Sequence, residues 1–277
     1  MKAGAVGLRA YSRGRKDVDG EARLGARFHA VGVERARTIA SAVSEADAVF
    51  ATVPAAAAAA VARTAAPSLP VGAIYVDPAP SAPERKEQLA AALGEGGALY
   101  VDAAVLGTVA ADGYGVSILA AGPGAAQLER LVRPLGMNVT AVKGPAGRAS
   151  RVKLVRSVYM KGRDAAILEM LIAARRHGVE DIVIESIGAA AGERVPFSAL
   201  ADRVMTGLAV HAGRRADELS ASARVLQDAG VQPLVTRASA RRLRRMAAAD
   251  LRGHFGGDRP ADLNEVLDAL QALGEDA

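Results

Sequence analysis

Lysine is scarce in this chain: there are six, at 2, 16, 86, 143, 153 and 161. Two of them fall in one stretch, GRASRVKLVRSVYMKG (147–162). On a helix of 3.6 residues per turn, Lys153, Ser157, Met160 and Asp164 share a face, with Arg156 and Lys161 beside it. A lysine on a helix between two domains can have its pKa lowered by desolvation and by neighbouring cations. It then works as a general base near neutral pH. Ser157, one turn on, places a hydroxyl where it could bond a substrate oxygen. By spacing alone, the simpler description is an interdomain helix with a basic edge.

A second group of residues could hold a phosphate. The short apolar run LRAYS (8–12) ends in Arg13, Arg15 and Lys16. An arginine after such a strand can meet the 2′-phosphate of NADP, where an acidic residue would instead bond the free hydroxyl of NAD. No Asp or Glu occupies 11–16. In open parallel sheets, ligands sit beyond the carboxyl ends of the strands, so the residues there are the next candidates. Pro54 follows AVFATV (48–53), the rigid run PAPSAP (78–83) follows AIYVD (73–77), and Gly107 follows LYVDAA (99–104). A solvated basic loop and ordinary turns explain each of these equally well when taken alone.

The elements that must position these residues differ between the two halves. Over 1–146, short apolar runs alternate with Ala-rich stretches. Strands are predicted at 8–12, 48–53, 73–77, 99–104, 116–120 and 138–142, with helices at about 34–45, 55–66, 82–93 and 124–133. That alternation predicts a mostly parallel sheet covered on both faces. From 147 the pattern is helical: a long helix over 148–177, then helices at about 180–190, 197–212, 214–229, 234–251 and 261–273, separated by turn signals. The expected fold class is therefore α/β followed by all-α, with domains at 1–146 and 147–277.

Composition narrows the functional classes. The chain has 277 residues, 51% hydrophobic but only 3% aromatic, and much of the apolar content is alanine. This favours closely packed helices over a large-cavity β protein. There is no cysteine, which removes disulfides and thiolate metal sites and agrees with a cytoplasmic location. No metal site is expected. The N-terminus lacks the apolar core of a signal peptide, and the Ala run at 53–62 is shorter than the ~20 residues that span a bilayer. Net charge is +5, carried mostly by arginine. The densest basic run, RRLRR (241–245), lacks the interleaved aromatics of a nucleic-acid surface and reads as a solvated helix face. A membrane or nucleic-acid partner is not expected.

Six stretches taken in order resemble the β-hydroxyacid dehydrogenases, the group that includes 6-phosphogluconate and 3-hydroxyisobutyrate dehydrogenases. They are DAVFATVP (47–54), YVDPAPSAP (75–83), YVDAAVLGT (100–108), GVSILAAGP (115–123), KLVRSVYMKG (153–162) and HAGRRADEL (211–219). The second half resembles a little-characterised helical domain of 6-phosphogluconate dehydrogenase-like oxidoreductases. The resemblance implies a Rossmann-type NAD(P)-binding domain and hydride transfer between NADP, with NAD as the other option, and a small hydroxy acid. It puts the catalytic lysine at Lys153 and Pro54 and Ser81 beside the cofactor. Gly107, Thr108, Ser157, His211 and Arg214 would face the substrate. The helical domain would make a homo-oligomer, a dimer.

The departures are specific. Where the family commonly has Asn, four residues after its lysine, this chain has Ser157. Where it usually has Ser-Gly-Gly, this chain has Leu106, Gly107 and Thr108, so one substrate contact is lost or moved to Thr108. The family's opening strand and Gly-x-Gly-x-x-Gly turn, which hold the pyrophosphate through backbone N–H groups and the helix dipole, do not occur before Leu8. About 20 residues would supply them. The expectation is an N-terminally truncated Rossmann-type domain whose sheet exposes two inner edges. It is either an enzyme whose true start lies upstream of Met1, or a shortened, non-catalytic paralogue acting at most as an oligomerising module.

Overall fold

The computed structural model describes residues 7–12, 20–191, 196–228, 230 and 232–273. The chain divides into two compact units, Met1–Lys153 and Leu154–Ala277.

The first unit carries a five-stranded sheet in the order β3 (Ala48–Phe50), β4 (Ile74–Asp77), β5 (Leu99–Val105), β6 (Ile118–Ala121), β7 (Val139–Ala141). Neighbours are parallel except β5 and β6, which run antiparallel. The connections supply α3 (Ala55–Ala65), α4 (Pro83–Gly94), the short α5 (Val109–Asp112) and α6 (Ala125–Val132). Strand β4 is buried at every residue, which is why its sequence does not alternate. Tyr75 and Tyr100 face one core with Ala62, Leu89 and Leu93. Ile74, Val76, Val101 and Leu128 face another. Helix α3 buries only alanines, at 58, 62 and 65, and these small side chains let its backbone lie close to its neighbours. On α4, Leu89 and Leu93 are one turn apart and both buried. A fully buried leucine contributes roughly 1.5–3 kcal/mol relative to exposure.

A separate two-stranded parallel sheet joins β1 (Arg9–Ala10) to β2 (Glu34–Arg35), with α1 (Gly20–Ala30) between them. Among the described residues no strand links it to β3. Arg9 ties the pair to α2 (Ile39–Val43): its Nη1 donates to the Ser41 carbonyl at 3.1 Å, and its Nε lies 3.1 Å from Glu34. The helix predicted at 34–45 is thus only 39–43. Glu34 and Arg35 are taken up by pairing with β1, and the helix starts at a capping box in which Thr38 Oγ1 accepts the Ser41 N–H.

The second unit is helical: α7 (Arg148–His177), which begins in the first unit, α8 (Glu180–Ala191), α9 (Phe197–Asp228), α10 (Leu234–Ala248), α11 (Leu251–His254) and α12 (Leu263–Ala272). Leu168, Leu171, Met205, Leu208, Leu219, Leu243 and Val266 form its core. The helices expected at 197–212 and 214–229 are one continuous helix through Gly213. A mid-helix glycine costs about 1 kcal/mol relative to alanine. The core residues Leu208, Ala212, Ala216 and Leu219 on both sides of Gly213 outweigh that. Among the described residues no helix is long and apolar enough to cross a membrane.

Candidate functional site

Three neighbouring parallel strands, β3, β4 and β5, end side by side in the first unit, and four of the expected ligand contacts, Pro54, Ser81, Gly107 and Thr108, follow those ends. Pro54 is the exposed N-cap of α3, and Ser81 precedes the N-cap of α4, Ala82. Neither helix start has a side-chain cap; the Ala57 and Arg85 N–H groups turn back onto the Pro54 and Ala82 carbonyls, and among the described residues those of Ala55, Ala56 and Glu84 are left open to another acceptor. Ser81 Oγ is buried and has no hydrogen-bond partner. An unpartnered buried hydroxyl costs roughly 1–3 kcal/mol, so the oxygen is suited to a ligand. Tyr75 Oη is a second such atom.

Gly107 and Thr108 follow β5. A Cβ on Gly107 would stand 2.7 Å from Asp112 Oδ2 and 2.8 Å from Val116 Cγ2. The space beside this glycine is filled by the chain itself. Asp112 Oδ2 accepts the Thr108 N–H at 3.1 Å, which closes the loop and leaves the Thr108 residue exposed.

Behind the strand ends lies a buried ionic network that the sequence reading did not single out. Strands β4 and β5 carry the same triplet, Tyr-Val-Asp, and pair it in register: Tyr75 with Tyr100, Val76 with Val101, Asp77 with Asp102. Asp77 accepts the Ala79 N–H at 3.0 Å and the Tyr100 hydroxyl at 2.7 Å. Lys86 from α4, with no exposed side-chain area, sits 3.0 Å from Asp77 and 3.8 Å from Asp102, and donates to the Asp77 carbonyl at 2.8 Å. Burial first, then the Asp77 charge, pushes the phenols of Tyr75 and Tyr100 far above their ordinary value. Both rings stay protonated, and Tyr100 is a donor. Asp102 accepts both the hydroxyl and the N–H of Ser150, the third residue of α7, at 2.6 and 2.9 Å. A carboxylate at a helix N-terminus is favoured by the helix dipole. Lys153 lies one turn further along α7, on the face of Ser150, and is half-buried.

The remaining expected residues lie in the second unit. Ser157 is buried, and Lys161 Nζ donates to its hydroxyl at 3.4 Å. Lys161 also pairs with Glu218 at 2.7 Å, and Glu218 pairs with Arg214. Asp164, on the same face of α7, binds Arg215 at 2.8 Å. His211 has its pKa lowered, by burial first and then by Arg214, Arg215, Arg252 and Arg259. Of these, Arg259 is anchored on the Thr206 hydroxyl at 2.6 and 2.9 Å. Arg252 has no side-chain partner among the described residues. This is a strongly electropositive face around a histidine that favours its neutral form. Arg13 and Arg15 lie outside the described residues. Among the described residues, no three His, Asp or Glu side chains are placed to hold a metal ion.

A mostly parallel sheet with helices after its strands, followed along the chain by a helical unit, is the layout of the Rossmann-like class of protein. Residues 10–144 match the NAD binding domain of 6-phosphogluconate dehydrogenase, and residues 174–246 match the domain of unknown function DUF1932. A conserved hypothetical protein from Sinorhizobium meliloti has a similar structure, with a TM-score of 0.70 and 30% identity over 96% of this chain and 88% of that one. The conserved protein MTH1747, itself structurally similar to 3-hydroxyacid dehydrogenases, gives 0.66 and 28% over 88% and 89%. An uncharacterized 28.5 kDa protein of Methanothermus fervidus, encoded in the 7S RNA 5′ region, is 24% identical over 165 residues. That match covers 60% of this chain and 62% of the relative's length. The chain belongs to the family that couples a 6-phosphogluconate dehydrogenase-like NAD-binding domain to a DUF1932 helical domain.

That family implies a nicotinamide cofactor, and the residues present fit part of one. The buried Ser81 hydroxyl and the uncapped starts of α3 and α4 suit the cofactor's ribose and phosphate oxygens. The Gly-x-Gly-x-x-Gly cradle for the pyrophosphate does not occur anywhere in the sequence.

Proposed function

We propose that this protein is an oxidoreductase that moves a hydride between NADP and the hydroxyl-bearing carbon of a small hydroxy acid. The carrying observation is the buried, unpartnered Ser81 Oγ at the carboxyl edge of β4. When bound, the nicotinamide supplies the hydride acceptor. Lys153 Nζ takes the proton from the substrate hydroxyl, so that a carbonyl is left when the hydride departs. Ser157 and Thr108 offer hydroxyls to substrate oxygens. Arg214 and the neutral His211 hold the acid end, in the electropositive setting made by Arg252 and Arg259. Arg13, with Arg15, meets the 2′-phosphate and sets the preference for NADP over NAD, and Pro54 lines the cofactor. Two chains associate through the helical unit.

A second reading starts from the β1–β2 pair, which among the described residues is not joined to the main sheet. In it the protein binds no dinucleotide and serves as an oligomerising module. Titration with NADPH and NADH, followed by nicotinamide fluorescence, separates the two. The enzymatic reading expects saturable binding tighter for NADPH, weakened about fivefold by Ser81→Ala, the loss of roughly 1 kcal/mol of hydrogen bonding. It expects Lys153→Ala to retain binding while turnover of hydroxy acids falls by about two orders of magnitude. No saturation with either cofactor supports the second reading.

A further inference from the structure

Helix α10 carries five arginines, at 237, 241, 242, 244 and 245, and no acid. Like charges three or four residues apart repel on a helix. Arg237–Arg241, Arg241–Arg244, Arg241–Arg245 and Arg242–Arg245 all stand at that spacing. A face that is only solvated gains by interspersing the two signs. The packing of α10 does not call for the arginines either, since its buried stripe is Thr236, Ser239, Ala240, Leu243 and Met246. Arg241, Arg244 and Arg245 have no carboxylate partner among the described residues. Arg244 is nevertheless held in place: its Nη2 donates to the Ser220 hydroxyl at 2.6 Å. That neutral partner orients the guanidinium and leaves its charge uncompensated.

Arg241, Arg242, Arg244 and Arg245 edge a groove of about 670 Å³ between α10 and α7. Small-molecule sites span about 300–1,000 Å³. The floor is made of small residues: Gly162, Ala165 and Ala166 from α7, Ala238 and Ser239 from α10. Gly162 faces Ser239 across it, and a Cβ on the glycine would stand 3.9 Å from the serine Oγ. The groove therefore joins a flat, mostly apolar floor to a row of oriented cations. A molecule that matches it has a flat body and several adjacent negative charges.

We propose that this groove binds a nucleoside polyphosphate. The phosphates lie along Arg241, Arg244 and Arg245, and the base lies on the small-residue floor with its polar edge turned to solvent. Guanidinium forks take phosphate oxygens two at a time. Helix neighbours at this spacing have Cβ atoms about 5–6 Å apart, close enough for several arginines to share one phosphate chain. A sugar phosphate fits less well, because among the described lining residues its hydroxyls would meet one neutral polar side chain, Ser239. A monocarboxylate would leave most of the positive charge uncompensated. The site is built from residues of the second unit alone and does not depend on the cofactor reading.

Isothermal titration calorimetry with ADP, AMP and pyrophosphate tests it, on variants shown by circular dichroism to keep their helix content. ADP is expected to saturate a site that Arg241→Gln/Arg245→Gln weakens about tenfold or more, through the loss of charge-assisted hydrogen bonds. Arg241→Lys/Arg245→Lys keeps the charge without the fork and should weaken it less. AMP, with one phosphate fewer, should bind about tenfold more weakly than ADP. Ala238 is exposed, and Ala238→Leu fills the floor without changing the charge. It should weaken ADP and leave pyrophosphate unaffected. Ser81→Ala, in the first unit, should leave this site unaffected, which separates it from any nucleotide bound at the strand ends. ADP affinity indifferent to the glutamine variant, or lost with Ser81→Ala instead, would overturn the proposal. So would AMP binding as tightly as ADP, Ala238→Leu weakening pyrophosphate as much as ADP, or a glutamine-sensitive site that RNA saturates and ADP does not.

Discussion

Asp102 grips Ser150 twice: one carboxylate oxygen accepts the serine hydroxyl at 2.6 Å and the other accepts its backbone N–H at 2.9 Å. Through this pair the sheet sets where α7 begins and therefore where Lys153 falls, one turn on. The carboxylate is fully buried, and so is Asp77 beside it. A single lysine, Lys86, lies between them. The Ala79 N–H and the Tyr100 hydroxyl on Asp77, and the Ser150 hydroxyl and the positive end of α7 on Asp102, add to the compensation.

Truncating this network should therefore cost more than its hydrogen-bond count suggests. Asp102→Ala leaves Lys86 paired with Asp77 alone and takes away the acceptor of both Ser150 donors at the start of α7, so it should destabilise the first unit by about 3 kcal/mol, the low end for removing one member of a buried ionic network. Ser150→Ala removes one hydroxyl donor and keeps the N–H bond, so its effect should be about 1 kcal/mol. Urea denaturation of the two variants gives the comparison. Equal losses would mean that Asp102 acts only through Ser150.

Strands β4 to β6 could be placed from the sequence because they are buried, mostly apolar runs, and the less buried β3 and β7 also fall within predicted segments. The short β2 could not, because Glu34 and Arg35 are polar and form a strand only by pairing with β1. Gly213 looked like a helix break because a local signal cannot show the apolar face that carries α9 through it. The ionic network did leave a trace. The triplet Tyr-Val-Asp recurs at 75–77 and 100–102, and Lys86 sits on the stripe Pro83, Lys86, Leu89, Leu93 that α4 buries. A lysine on an apolar stripe calls for a buried acid. Asp112 left no such trace, because its contact with Thr108 depends on how the loop closes.

His211 makes the pH response of the second unit predictable in sign. Its folded pKa lies below the ordinary 6.5, so the unfolded chain binds the proton more readily than the folded one. Stability from this group is present above pH 6.5. It is lost as pH falls from there through the lower folded value. His211→Gln should flatten that part of the stability–pH curve. Proton NMR of the imidazole offers a second readout. An added anion such as inorganic phosphate should raise the His211 pKa, because it offsets the surrounding arginines. A pKa that phosphate leaves unmoved would argue against an acid-binding role for this face.

Gly107 is tested by coupling it to Asp112. Alanine at 107 would push its Cβ into the Asp112 carboxylate, 2.7 Å away, and into Val116 Cγ2 at 2.8 Å. The carboxylate is the end of a flexible side chain and can swing out, but doing so gives up the Thr108 N–H that it accepts at 3.1 Å. Gly107→Ala should therefore cost about 1–2 kcal/mol, mostly the lost hydrogen bond. On an Asp112→Ala background that bond is already gone, and the same substitution should cost markedly less. Contacting residues of this kind show interaction energies of about 0.5–3 kcal/mol in a double-mutant cycle. If Gly107→Ala costs the same in both backgrounds, the contact with Val116 is what excludes a side chain here, and the glycine serves the packing of the turn rather than the Asp112 closure.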